Sequence, residues 1–262
     1  MRQTLAATLA MAALTNLSAA QTRTTPRPVP APARAEMAVS FRVGETLTFD
    51  VAYSTYLVAG SATSTVVEKR SSSGSNAYYI VAEGRPLPLI ARIYALYYKM
   101  DTLLDTVTGL SQRSSLYTEE GTRRRTATTQ FNRTTRKASF ELQADGTARD
   151  EFTVPADVQD GLATLYALRT RTFKAGEPIT IPIADDGVLY SARVEPTGPE
   201  HLKLRLGEFD AWNLKVTVTG PTGEQVGKNM AVWMSADSRR LPLKLQADLP
   251  VGYFVLALRD VK

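Results

Sequence analysis

The chain has 262 residues, 44% hydrophobic and 22% charged, ordinary values for a folded protein, so neither a disordered chain nor a membrane-embedded body is expected. Lys and Arg number 31 against 26 Asp and Glu, a formal charge of +5 spread along the sequence with no basic block carrying interleaved aromatics, so nucleic acid is not an expected partner. With no cysteine and one histidine, disulfides, thiolate metal sites, cysteine nucleophiles and histidine-rich zinc sites are excluded.

Met1 and Arg2 precede the apolar run Leu5 to Leu14, about the length of a signal-peptide core and too short for an ordinary membrane span. Ser18-Ala19-Ala20 supplies small residues before a cleavage point at Gln21. Residues 1–20 therefore read as a secretory signal, with a retained anchor or an N-terminal amphipathic helix as the alternative. Pro26, Pro28, Pro30 and Pro32 make residues 21–40 an extended, Pro-rich linker. The expected location is the periplasm or cell envelope.

From Phe41 onward the period is two. In Thr46 to Tyr53, Leu47, Phe49, Val51 and Tyr53 fall on one face and Thr46, Thr48, Asp50 and Ala52 on the other, as a half-buried strand requires. The same alternation runs through Ser61–Lys69, Ala77–Ala82, Thr126–Phe131, Ile179–Ile183, Val188–Val194, Leu202–Leu206, Leu214–Val218 and Leu241–Ala247. Turn chemistry separates these runs at Ser73-Gly74, Asp145-Gly146, Asp185-Asp186-Gly187, Pro221 to Gly223 and Ala236 to Arg239.

Two segments depart from this rhythm. Leu87 to Tyr98 places Leu89, Ile93, Tyr94 and Tyr97 at helical spacing after Pro88, and predicts an apolar helix that plugs or covers a barrel end. Asp157 to Arg169 follows Pro155 and predicts a second helix, with Asp157 as N-cap and Asp160 in its first turn. The fold class is mainly β: an antiparallel curved sheet, barrel or half-barrel of many short strands with one or two short helices. A single all-β domain spans residues 41–262. Two β-halves meeting near residues 155–172 are the alternative, suggested by the echo of Phe41-Arg-Val-Gly44-Glu45 in Phe173-Lys-Ala-Gly176-Glu177, for which convergent turn chemistry accounts equally well.

Catalytic patterns are missing. There is no H-E-x-x-H, no G-x-S-x-G elbow and no phosphate-binding glycine loop. His201 reads as the solvent end of a strand; Asp185-Asp186-Gly187 and Glu119-Glu120-Gly121 read as turns rather than paired acid and base. No metal site, cofactor or enzymatic activity is expected.

Four pieces, taken in order, resemble domain of unknown function family 3108. They are Phe41-x-Val-Gly-Glu-x-Leu-x-Phe, Ala59-Gly60, Asp160-x-Leu-x-x-Leu-Tyr-x-Leu-Arg169 and Val232-Trp-Met-Ser-x-Asp-x-Arg-Arg-x-Pro242. The resemblance covers roughly residues 41–260 and implies an exported bacterial protein without an established activity. The hairpin from Trp233 to Pro242 is also similar, at the level of fold, to half-barrel carriers that move lipoproteins through the periplasm.

The leading expectation is a binding module that takes a hydrophobic small molecule or lipid on the concave side of the sheet. Leu89, Ile93, Tyr94, Tyr97, Trp212 and Trp233 are the candidate lining residues, since aromatics with a polar edge suit a cavity where an apolar tail meets a headgroup. The competing expectation is an interaction protein that docks on an envelope protein partner through a strand edge or the Pro-rich linker.

Overall fold

The structure, a computed structural model, describes residues 34–53, 57–92, 96–249 and 252–262, and the architecture below is that of the unit Ala35–Lys262. The expected signal segment and most of the Pro-rich linker lie outside the described residues. In chain order the elements are β1 (Thr46–Tyr53), β2 (Leu57–Ser72), β3 (Ser75–Pro86), α1 (Pro88–Ala91), β4 (Leu96–Asp105), β5 (Ser111–Glu120), β6 (Arg123–Asn132), β7 (Lys137–Gln143) and β8 (Thr147–Thr153). They continue with α2 (Gly161–Leu168), β9 (Ile179–Asp185), β10 (Val188–Leu204), β11 (Gly207–Thr219), β12 (Gln225–Ser235), β13 (Pro242–Leu249) and β14 (Gly252–Val261).

All fourteen strands form one antiparallel sheet in the order β8-β7-β6-β5-β4-β3-β2-β1-β14-β13-β12-β11-β10-β9. The first and last strands pair with each other, so two meanders run outward from β1 and β14, and the free edges are β8 and β9. The β9–β10 hairpin shows how the turns set register: Asp186 and Gly187 take φ of 52° and 77°, the two left-handed residues of a tight two-residue turn.

The edges are not hydrogen-bonded to each other; the chain leaving β8 is threaded between them. Gln159 makes a parallel bridge to Ile183, its N–H donating to Pro182 O at 2.9 Å and its carbonyl accepting from Ala184 N at 2.8 Å. Its side chain reaches the other meander, donating to Gly109 O at 2.8 Å and accepting from Ser111 N at 2.9 Å. Phe131, Ala138, Val154, Val158 and Ala184 fill the seam beside it. The sheet is thus not closed into a barrel, and packing and one glutamine tie its two meanders together instead.

The segment from Phe41 to Glu45 and its echo at Phe173 to Glu177 adopt the same geometry. Both phenylalanines are buried, and Gly44 and Gly176 take φ of 89° and 76°. The Gly44 N–H donates to Val66 O at 2.7 Å and the Gly176 N–H to Pro196 O at 2.9 Å, one strand after the next in each meander. Immediately beyond those acceptors the register shifts, between Val66 and Glu68 in β2 and between Pro196 and Gly198 in β10. One turn and one bulge therefore open both meanders.

Both helix expectations need correction. Among the described residues of the segment from Leu87 to Tyr98, helix is limited to the four-residue α1, and from Leu96 the chain is strand, because pairing with β3 and β5 outweighs a single apolar stripe. The helix after Pro155 begins at Gly161, capped by Asp160 rather than Asp157, since Gln159 is committed to the seam and Asp160 accepts from the Ala163 N–H at 2.8 Å. Leu162, Ala163 and Tyr166 of α2 pack on Val66, Tyr78, Ile80 and Leu104, while Leu168 packs on Ile181, Val194, Leu214 and Met234. The helix so fills the space between the two meanders at the end of the barrel where β1 and β9 begin.

Candidate functional site

At the opposite end the described residues surround a cavity of about 640 Å³ between β4 on one side and β11 to β14 on the other, strands far apart in the sheet order that only the curl brings face to face. Alternation sets most of its lining, and Ala231 and Gln246 border it from between their inward-facing neighbours. On β4 it is Leu96, Tyr98 and Met100; on β13 and β14, Leu245, Ala247, Leu249, Phe254 and Leu256; on β11 and β12, Val216, Met230, Ala231 and Val232. Among the described residues Gln246 is the one polar amide in this wall, and no acidic or basic side chain lines it. The volume falls in the ordinary range for small-molecule sites, about 300–1,000 Å³.

Its floor is the packing around α2. Met100 packs on the cluster of Tyr78, Ile80, Leu104 and Leu162, and Val216 and Val232 pack on the cluster of Leu168, Leu214 and Met234. Towards the rim stand Leu96, Leu249 and Phe254, near the ends of their strands, with Tyr98 donating its O–H to Glu120. Tyr53 at the end of β1 packs edge-on against Phe254, ring centroids 5.4 Å apart.

The structure disperses the six residues singled out from sequence. Ile93 and Tyr94 lie outside the described residues. Leu89 sits on α1 and is 71% exposed. Tyr97 points to the convex face, where its O–H donates to Glu83 at 2.8 Å and the Arg85 guanidinium lies 4.6 Å from its ring; its strand neighbours Leu96 and Tyr98 face the cavity instead. Trp212 packs against Phe173, ring centroids 6.1 Å apart, beside the α2 cluster. Trp233 is buried on the face opposite Val232, donates its indole N–H to Glu200 and carries the Lys244 ammonium 4.2 Å from its ring. Burial lowers the pKa of that ammonium, with Glu200 opposing the effect.

What the sequence reading missed was the aliphatic wall itself. Its signal was present in Leu243-x-Leu245-x-Ala247-x-Leu249 and Phe254-x-Leu256-x-Leu258, one continuous apolar face of the β13–β14 hairpin.

Besides an open hollow of about 750 Å³ along β6 to β8, lined by Gln130, Glu141, Arg149 and Asp150 among others, two more hollows among the described residues are polar. One, of about 550 Å³, lies at the far end of β4 and is lined by Ser75, Asp105, Ser111, Gln112, Asn132 and Arg133 among others. Most of its groups pair with each other, although the Gln112 Oε1 is buried without a hydrogen-bond partner: Asp105 accepts from Ser75, from Gln112 Nε2 at 2.8 Å and from the Thr108 N–H at 2.7 Å, and Arg133 donates to the carbonyls of Ser111 and Ala156. The other, about 20 Å³, lies between Asp160 and Asp185, room for about one water. Asp160 is buried there as acceptor for Thr102, Ser111 and Ala163. His201 is exposed on the β10–β11 hairpin, 3.4 Å from both Glu208 and Asp210. Among the described residues no cluster of three metal-ligating side chains is found, and no helix is long and apolar enough to cross a membrane.

The family model described as "Protein of unknown function (DUF3108)" matches residues 48–259. No curated protein matches the sequence. Among solved structures, a β-barrel-like protein of domain of unknown function DUF1849 from Brucella abortus superposes with a TM-score of 0.52 over 84% of this chain and 97% of its own, at 8% identity. That likeness is one of fold. A candidate exported protein with a YmcC-like fold from Bacteroides fragilis (TM-score 0.33, 9% identity) and a candidate lipoprotein from Parabacteroides distasonis (TM-score 0.35, 8% identity) also match; each covers 87% of this chain and 100% of its own.

Proposed function

We propose that this chain, which belongs to the DUF3108 family, is an exported cell-envelope protein that performs no chemistry of its own and holds an apolar ligand in the cavity between β4 and β11 to β14. The observation that carries this reading is the lining: twelve of the thirteen described residues that line the cavity are apolar or aromatic, around a volume that a close-packed interior would not leave. A water-filled hollow of this composition is unfavourable at roughly 25 cal/mol per Å² of apolar surface, which an apolar ligand recovers on binding. Export rests on the sequence: the apolar run from Leu5 to Leu14 followed by Ser18-Ala19-Ala20.

The test is mass spectrometry of solvent extracts from the mature protein, purified from a periplasmic fraction without detergent. A stoichiometric lipid or isoprenoid is the expected result. An empty protein that also takes up no apolar fluorescent probe overturns the reading, and a single stoichiometric crosslinked protein would then favour docking on an envelope partner instead.

A further inference from the structure

The dimensions of the cavity restrict what can fill it. Leu96 and Met100 mark the rim and floor on β4, and Leu249 and Leu245 mark comparable levels on the facing β13. Each pair is four residues apart on one strand, so at about 3.3 Å per residue both walls are about 13 Å deep. An extended alkyl chain with single bonds of about 1.5 Å advances roughly 1.25 Å per carbon, so about ten carbons span that depth. At about 30 Å³ for each methylene, similar to a water's share of liquid volume, ten carbons occupy roughly 300 Å³. The cavity of about 640 Å³ is therefore twice too wide for one such tail.

We propose that the site takes a two-tailed amphiphile, burying about ten carbons of each tail side by side and leaving the headgroup outside; this inference rests on the ligand-binding reading above. Among the described lining residues Gln246 is the one polar amide and none is charged, so an ionised or zwitterionic headgroup has no partner in this wall. Polar groups begin at the rim, where Tyr98 donates to Glu120. Met100 is the stop: it lines the cavity and packs against the buried cluster that includes Ile80, Leu104 and Leu162.

The experiment titrates the purified protein, carrying an apolar fluorophore, with one-tailed and two-tailed phosphocholines of increasing tail length, each below its critical micelle concentration. Affinity should rise about fourfold per buried methylene, flatten near ten carbons, and be at least tenfold higher for two tails than for one of equal length. Met100→Phe should move the break to shorter tails and Met100→Ala to longer ones, with unfolding midpoints recorded for both variants. Displacement that ignores tail number, or a break that does not move with residue 100, overturns this inference and leaves the ligand-binding reading standing. Failure of the fluorophore and of every phosphocholine to bind overturns both.

Discussion

Arg169 and Glu45, 124 residues apart, form a two-pronged ion pair inside the protein, Nη1 on Oε1 and Nη2 on Oε2, the latter at 3.1 Å. The Arg169 side chain has no exposed surface and that of Glu45 is 10% exposed. The same guanidinium donates to Arg239 O at 3.2 Å and stands over the rings of Phe41 and Tyr166 at 5.4 and 5.3 Å. Three of the sequence pieces that carry the family resemblance thus meet at one side chain: the turn before β1, the end of α2 and the β12–β13 hairpin. Their role is to fix α2 in the barrel, and α2 is the floor of the cavity.

Removing one partner of this pair leaves the other charged, dry and uncompensated. Glu45→Gln should lower stability by about 3–5 kcal/mol, read from the midpoint of urea unfolding. The double variant Glu45→Leu with Arg169→Met removes both charges and should be more stable than the single one. If the single variant loses under about 1 kcal/mol, the pair does not hold the helix.

Part of the sheet was legible: β1 and β9 were read close to their observed limits from alternation alone, whereas β4, β7, β12 and β14 were not read as strands. β8 was not, because all its residues but Phe152 are exposed and nothing alternates. β5 was missed for a related reason: the side chains it turns inward include Ser111 and Thr118, so its buried face carries no apolar signature. The cavity was illegible because aromatic residues were favoured as its lining, whereas the register places Tyr97 and Trp233 outside it and assigns the wall to aliphatic neighbours. A one-residue difference in facing cannot be judged until the pairing partner of the strand is known.

The matched turns before β1 and β9 give a comparison between the two meanders. A Cβ at Gly44 or Gly176 would meet no atom within 4 Å, so Gly→Ala at either position costs backbone strain alone. The two variants should lose similar amounts, about 1–2 kcal/mol each. Gly60→Ala should lose distinctly more, because its Cβ would lie 2.5 Å from the Arg85 carbonyl oxygen in the neighbouring strand. Urea unfolding of the three variants side by side decides this; unequal losses at Gly44 and Gly176 would show that the turns are not equivalent.

Asp105 supplies a pH dependence. Burial pushes its carboxyl up, but hydrogen bonds from Ser75, the Thr108 N–H, Gln112 and the Val107 N–H outweigh burial and hold it below the ordinary Asp value of 3.8. Below 3.8 the unfolded chain takes the proton first, so the contribution of Asp105 is full above that pH and is lost as pH falls through the folded value. Asp105→Asn should cost about 1–3 kcal/mol near neutrality, where its amide would oppose donors from Ser75 and Gln112. Urea midpoints for wild type and variant, measured from about pH 7 to about pH 2.5, should converge at the acid end. Parallel curves would remove Asp105 from the acid sensitivity of the fold.

Leu245 and Tyr97 separate the cavity from the opposite face of the sheet. Leu245 lies in the aliphatic wall and is only half-buried in the empty protein, so Leu245→Glu can keep its charge hydrated when the cavity is vacant. Filling the cavity then requires burying that carboxylate without a partner, and the affinity for an apolar fluorescent probe should fall at least tenfold, equivalent to about 1.4 kcal/mol. Tyr97→Ala removes a ring that packs on Arg85 and Tyr117 outside the barrel, and should leave probe affinity within about twofold of wild type while lowering stability modestly. The reverse pattern, with Tyr97→Ala weakening the probe and Leu245→Glu sparing it, would place the ligand on the convex face and take the proposed function away from this cavity.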